Sequence, residues 1–120
     1  MQDYRKLDVW KLAHDLTLGV YRITSGFPPT ESYALTRQLR RSVVSIGSNI
    51  VEGAARSSQK ELRRFLEIAR ASCVEAEYQL FLARDLGYLA EGDYRSSADK
   101  ADRVRRMLTS LQRTVARPRT

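Results

Sequence analysis

The chain has 120 residues, a formal charge of +7 and a single cysteine, Cys73. This length suits one domain, which hides roughly two-thirds of the surface its unfolded chain exposes and needs no covalent staple. A lone cysteine excludes an intramolecular disulfide, and its apolar neighbours make it a small core residue of a reducing compartment, so a cytoplasmic location is expected. Secretion and membrane insertion do not fit. The start, MQDYRKLDVW, lacks the apolar core of a signal peptide, and the longest charge-free run, Ser42 to Val51, is roughly half as long as a membrane-spanning helix.

The charge is uneven. Residues 100–120 hold seven basic side chains and one acidic one, a net +6, which leaves +1 for the remainder. A basic end of this kind has two readings: a surface for nucleic acid or another polyanion, or a solvated helix whose arginines pair with its own acids.

From Asp8 to Ser25, the apolar residues Val9, Leu12, Ala13, Leu16, Val20 and Ile23 recur at helical spacing, which predicts a first helix over 8–25. Gly26 and the pair Pro28-Pro29 end it, because proline lacks the amide donor and disfavours helix in the residue before it. Thr30 is the expected cap of a second helix over 31–55, with Glu31 in its first turn complementing the dipole. That helix carries two apolar stripes: Leu35, Leu39, Val43, Ile46 and Ile50 on one, Tyr33, Val44, Gly47, Val51 and Ala55 on the other. Two apolar faces imply two neighbours, within a monomer or across a subunit interface.

Ser58 followed by Glu61 forms a capping box and opens a third helix over 59–87. Its stripe runs through Leu62, Phe65, Leu66, Ala69, Cys73, Ala76, Leu80 and Ala83 to Gly87, a suitable terminator. Asp93 is the expected cap of a fourth helix over 93–116, with Ala101, Val104, Leu108, Leu111 and Val115 at the seam spacing of antiparallel bundles. Strand signals are absent. The pattern is all-α, four helices with the seam spacing of antiparallel bundles, in a single domain, 1–120.

Polar residues interrupt the apolar stripes. Arg41, Ser45, Asn49 and Glu52 fall within an arc of about 80° on the second helix and make a polar rail beside its core stripe. On the third helix Ile68, Glu75, Leu82 and, past its end, Leu89 step by sevens, which sets a carboxylate within a second apolar seam. Such a carboxylate needs a partner, because an unpaired buried charge costs several kcal/mol. Arg37, Arg40 and Arg41 are the candidates. These groups either fix helix register and subunit pairing or serve a ligand.

Phe27-Pro28 with Glu31, the run LTRQLRR from Leu35 to Arg41, then Ser45, Ser48-Asn49-Ile50, Glu52-Gly53 and Arg56, and finally Phe65-Leu66, Ala69-Arg70, Ser72, Glu75 and Leu86-Gly87-Tyr88-Leu89 form one set of motifs. The set resembles the four-helix-bundle proteins encoded by intervening sequences in bacterial 23S ribosomal RNA genes, over about Tyr4 to Leu89. Val9 to Ala13 fits that family's first helix. The resemblance implies a left-handed up-and-down bundle and assembly into rings of five. It also implies a distant kinship with the accessory protein of diversity-generating retroelements, a basic pentameric barrel that works with a reverse transcriptase and nucleic acid. Carried over residue by residue, the motif is Arg41, Ser45, Asn49, Glu52 and Glu75, with structural roles. Gly47 departs from the family, where proline is common, so a straighter second helix is expected. The basic end after Lys100 lies outside the motif.

The functional reading is a homo-oligomeric scaffold, a pentamer by resemblance, that binds RNA or DNA through charge. Arg103, Arg106, Arg113, Arg117 and Arg119 are its candidate contacts. Asp99 precedes Arg103 and Asp102 precedes Arg106 by one helical turn, so those two arginines have potential partners on their own helix. Trp10 and Tyr21, on the outer side of the first helix, suit base stacking and a subunit boundary equally well. The alternative is a protein-binding adaptor without nucleic acid. An enzyme is not expected: no nucleophile with a base, metal cluster or phosphate loop is visible, and His14, the only histidine, cannot supply the paired motifs of di-iron bundles. Cofactor, metal and small-molecule substrate are likewise not expected.

Overall fold

The apolar stripes become buried faces. In the computed structural model, which describes residues 3–116, Val9, Ala13, Leu16 and Val20 of the first helix and Leu39, Val43, Ile46 and Ile50 of the second enter one core. Leu66, Ala69, Cys73, Ala76 and Leu80 of the third join Ala101, Val104 and Leu108 of the fourth in the same cluster. Each large aliphatic side chain so buried contributes roughly 1.5–3 kcal/mol. The four helices are α1 (Asp8–Thr24), α2 (Leu35–Ala54), α3 (Gln59–Asp85) and α4 (Glu91–Ala116), with short 3-10 turns at Tyr4–Lys6 and Pro29–Glu31. No strand occurs among the described residues. Helix α1 packs on α2 and α4, and α3 packs on the same two, so the core fills the space enclosed by the four.

Two helix starts differ from the sequence expectation. Helix α2 begins at Leu35, not Glu31, because Pro28-Pro29 leads first into the 3-10 turn Pro29–Glu31. Thr30 lies inside that turn and is no cap. Glu31 takes over part of the role, its carboxylate accepting from the Leu35 amide at 3.4 Å. Its other oxygen accepts from the Tyr88 hydroxyl at 2.8 Å, a bond that raises the Tyr88 pKa above its ordinary value. Helix α4 begins at Glu91, so Asp93 sits in its first turn as a charge favourable to the dipole and does not cap.

The other ends follow local chemistry. Ser58 accepts from the Glu61 amide at 3.3 Å, while the Glu61 carboxylate lies 3.9 Å from Arg56. After α3, Gly87 adopts φ +78°, the Tyr88 amide donates to the Ala83 carbonyl and the Gly87 amide to Arg84. This is a Schellman ending, which favours glycine at that position. Helix α2 runs unbroken through Gly47. At Gly53 the α2 and α3 backbones come close, and a Cβ there would stand 3.0 Å from Leu62 Cδ1 and 3.1 Å from Phe65 Cβ.

Cys73 is fully buried and its thiol donates to the Ala101 carbonyl at 3.1 Å. Burial, with Glu77 nearby, pushes its pKa up to about 12. The thiolate is the reactive form, so at pH 8 only about one molecule in ten thousand carries it. Iodoacetamide is expected to leave the folded protein unmodified at that pH and to alkylate it fully in denaturant. Rapid alkylation of the folded chain, read by intact mass, would place Cys73 outside the core.

Candidate functional site

The rail of α2 meets α3 in a polar groove of about 450 Å³, lined by Gln38, Arg41, Ser42, Ser45, Ser72, Glu75 and Gln79. Spacings of three and four residues on both helices aim these side chains at the same furrow. Its middle is bridged by the Ser45 and Ser72 hydroxyls at 2.9 Å, and Asn49 donates to the Ser45 carbonyl at 2.8 Å and to the Ser45 hydroxyl at 3.1 Å. The structure thus brings together Arg41, Ser45 and Glu75, with Asn49 alongside. Glu52 is not in this groove. It pairs with Arg56 at 3.0 Å and faces a separate hollow beside Trp10 and His14.

Glu75 differs from the sequence expectation. Its position in a run of sevens suggested a buried carboxylate in need of a cation, but within one chain it is exposed, as is Ile68 at 39%. The reason is that α3 turns Ala69, Cys73, Ala76 and Leu80 to the core, leaving Ile68 and Glu75 on its outer side, while Leu82 and Leu89 of the same run pack half-buried against that core. Val44 on the second stripe of α2 is 42% exposed and Tyr33 89%.

Arg37, Arg40 and Arg41 line a second cavity of about 490 Å³ with Tyr21, Ser32, Thr36, Val44 and Ser45, between α1 and α2. Arg40 is held in place there. Its Nε donates to Thr24 Oγ1 at 2.8 Å and its guanidinium lies 4.6 Å from the centre of the Tyr21 ring. Trp10 stands between Tyr4 and His14, with ring separations of 5.1 and 5.0 Å. Both aromatic residues singled out from sequence on the outer side of α1 are therefore already stacked within the chain.

On α4, Arg103, Arg106 and Arg113 are exposed and share one side of the helix. Asp102 takes Arg106 at 3.0 Å, as its spacing suggested, but Asp99 does not reach Arg103. Arg117 and Arg119 lie outside the described residues. Sequence reasoning missed Arg105, which donates to Glu77 of α3 at 2.8 Å and also holds Asp102, so that its charge is spent between helices. The bond to Glu77 raises its pKa. Glu67 is held below its usual value by Arg70 and by Gln112 of α4, which donates at 2.6 Å. It also missed Gln79, whose neighbours on α2 are remote in sequence. No group of three or more His, Cys, Asp or Glu among the described residues is placed to hold a metal, and no helix there is long and apolar enough to cross a membrane.

Four long helices around one apolar core, with a polar furrow between the second and third, define an all-helical protein. The family model of the 23S rRNA-intervening sequence proteins matches residues 5–110, and the chain belongs to that family. Among solved structures, it is similar to a protein of unknown function from the S23 ribosomal protein family of Bacteroides thetaiotaomicron. The two share 23% identity over 88% of this chain and 95% of that one, with a TM-score of 0.81, a likeness of fold. No curated protein matches the chain.

Proposed function

We propose that this chain is a non-enzymatic, homo-oligomeric scaffold of the cytoplasm that holds RNA or DNA through charge. Its protomer in this reading is a left-handed up-and-down antiparallel bundle, and the resemblance noted from sequence favours a ring of five. One observation carries the assembly: large apolar side chains on α2, on α3 and just ahead of α2 remain exposed, Val44 42%, Ile68 39%, Tyr78 63% and Tyr33 89%. Large apolar side chains left exposed on two neighbouring helices suit an interaction surface. The nucleic-acid reading rests on the basic end, where Arg103 and Arg113 have no carboxylate within ion-pair distance among the described residues, and a ring would multiply each weak contact.

Light scattering at micromolar concentration tests the assembly. A mass several times that of one chain is expected, and a fully helical monomer would sink the reading. A protein-binding adaptor without nucleic acid is the alternative, and titration with labelled RNA and duplex DNA at low salt separates the two.

A further inference from the structure

Two groups in the α2–α3 groove lack what their chemistry requires. Gln79 is 8% exposed, and its Oε1 is buried without a hydrogen-bond donor. Glu75 lines the same groove, and no cation stands within ion-pair distance of it among the described residues. A carboxylate beside an orphaned amide oxygen makes a socket for a group offering several N–H donors in one plane, and a guanidinium is that group. Arg41 lines the groove but makes no bond to either acceptor.

Arg37 has the complementary problem. It is exposed, has no carboxylate partner among the described residues, and begins a run of sevens on α2, Arg37, Val44 and Val51, of which Val44 is exposed and Val51 half-buried. On α3, Ile68, Glu75 and Leu82 step by sevens too. Seven residues rise about 10.5 Å on any α-helix, so two such stripes laid side by side stay in register. Run antiparallel, with Arg37 opposite Glu75, they place Val44 against Ile68 and set Lys60 opposite Glu52. Run parallel, they place Val44 against Leu82, which already packs on the chain's own core, leave the exposed Ile68 opposite Thr30, ahead of α2, and set Ala90 opposite Glu52, so that second pair is lost.

We propose that the groove is completed by a second copy of the chain: Arg37 of the partner subunit enters it onto Glu75 and Gln79, and the partner's Val44 covers Ile68. This inference rests on the assembly proposed above and specifies its register. Each copy offers α2 to one neighbour and α3 to the other, a head-to-tail contact that closes into a ring when the rotation per copy allows. The Val44–Ile68 contact supplies apolar area, and the charge pair selects one register, because a one-residue slip turns both charges away from each other.

The test is a charge exchange. Arg37→Glu, Glu75→Arg and the double variant are compared with wild type by sedimentation over a dilution series, with helicity followed by circular dichroism. Both positions are exposed in the single chain, so all four proteins are expected to be equally helical. Each single reversal is expected to raise the concentration at which the assembly dissociates by at least about tenfold, and the double variant to return to within about threefold of wild type. Single reversals without effect, or a double variant as weak as the singles, overturn the register. So does a loss of RNA binding in Arg37→Glu with the mass unchanged, which assigns Arg37 to phosphate. A monomeric wild type removes the assembly reading itself, whereas an oligomeric wild type indifferent to the exchange removes only this inference.

Discussion

Changing Arg113, Arg117 and Arg119 together to Gln is expected to weaken RNA and duplex DNA binding and to flatten its dependence on salt. Every duplex phosphate that an arginine neutralises adds about 0.9 to the slope of log affinity against log salt. If all three arginines neutralise one each, the wild type is expected to fall in affinity by about 40-fold more than the variant between roughly 50 and 200 mM salt. The structure sharpens the choice of residues. Arg105 is engaged by Glu77, so its replacement would disturb the α3–α4 packing as well as the charge, and Arg106 is already paired to Asp102 of its own helix. Arg113 is exposed and lies off the buried face formed by Val104 and Leu108. Fluorescence anisotropy of labelled RNA and DNA at several salt concentrations reads the effect. Equal slopes for the two proteins would move the binding surface to the arginines of α2 or α3, and no wild-type binding at low salt would remove nucleic acid from the account.

Gly53→Val is expected to be the most damaging small substitution in the bundle. The new Cβ would come within 3.1 Å of Phe65 Cβ, an atom fixed to the α3 backbone, as well as 3.0 Å from Leu62 Cδ1, which can swing away. Overpacking of this kind costs about 1–3 kcal/mol, against which valine regains only about 0.5 kcal/mol of helix propensity. A fall in melting temperature of roughly 2–10 °C follows for a chain of this size. Gly92 is the matched control, since a Cβ there meets nothing within 4 Å, and Gly92→Ala is expected to leave the midpoint level or raise it. Thermal unfolding followed by circular dichroism decides, and an unchanged midpoint for Gly53→Val would mean that α2 and α3 can part without loss.

The core was legible because apolar residues at helical spacing have few other uses. Leu39, Val43, Ile46 and Ile50 could be read as one face, and they are fully or almost fully buried. The capping serine, Ser58, and the terminating glycine, Gly87, were equally plain, since each acts on backbone within a few residues. What escaped was long-range. A spacing of sevens places Glu75 on a seam but does not say whether that seam faces inward, and within the chain it faces outward. Arg105 and Glu77 lie 28 residues apart, and Tyr88 and Glu31 57 apart, so no local pattern announces either pair. Thr30 failed as a cap because the double proline committed the backbone to a tighter turn first. For the candidate site, the rail on α2 was readable from its period, while the furrow it forms with Ser72 and Gln79 required knowing how α3 is rotated.

Phe27, Glu31 and Tyr88 have a consequence for how copies can associate. The Tyr88 ring lies 5.6 Å from that of Phe27, and its hydroxyl bonds Glu31, so the corner between α1 and α2 is fastened to the corner between α3 and α4. The first two helices are joined to the last two by the short link between Ala54 and Gln59, a layout that can trade halves between copies. Such a trade would require the fastening to open in both chains at once, together with the whole α2–α3 interface. In the proposed assembly the clasp therefore favours complete protomers that dock by their surfaces over interlocked ones, and an assembly built that way can gain or lose a member without unfolding it.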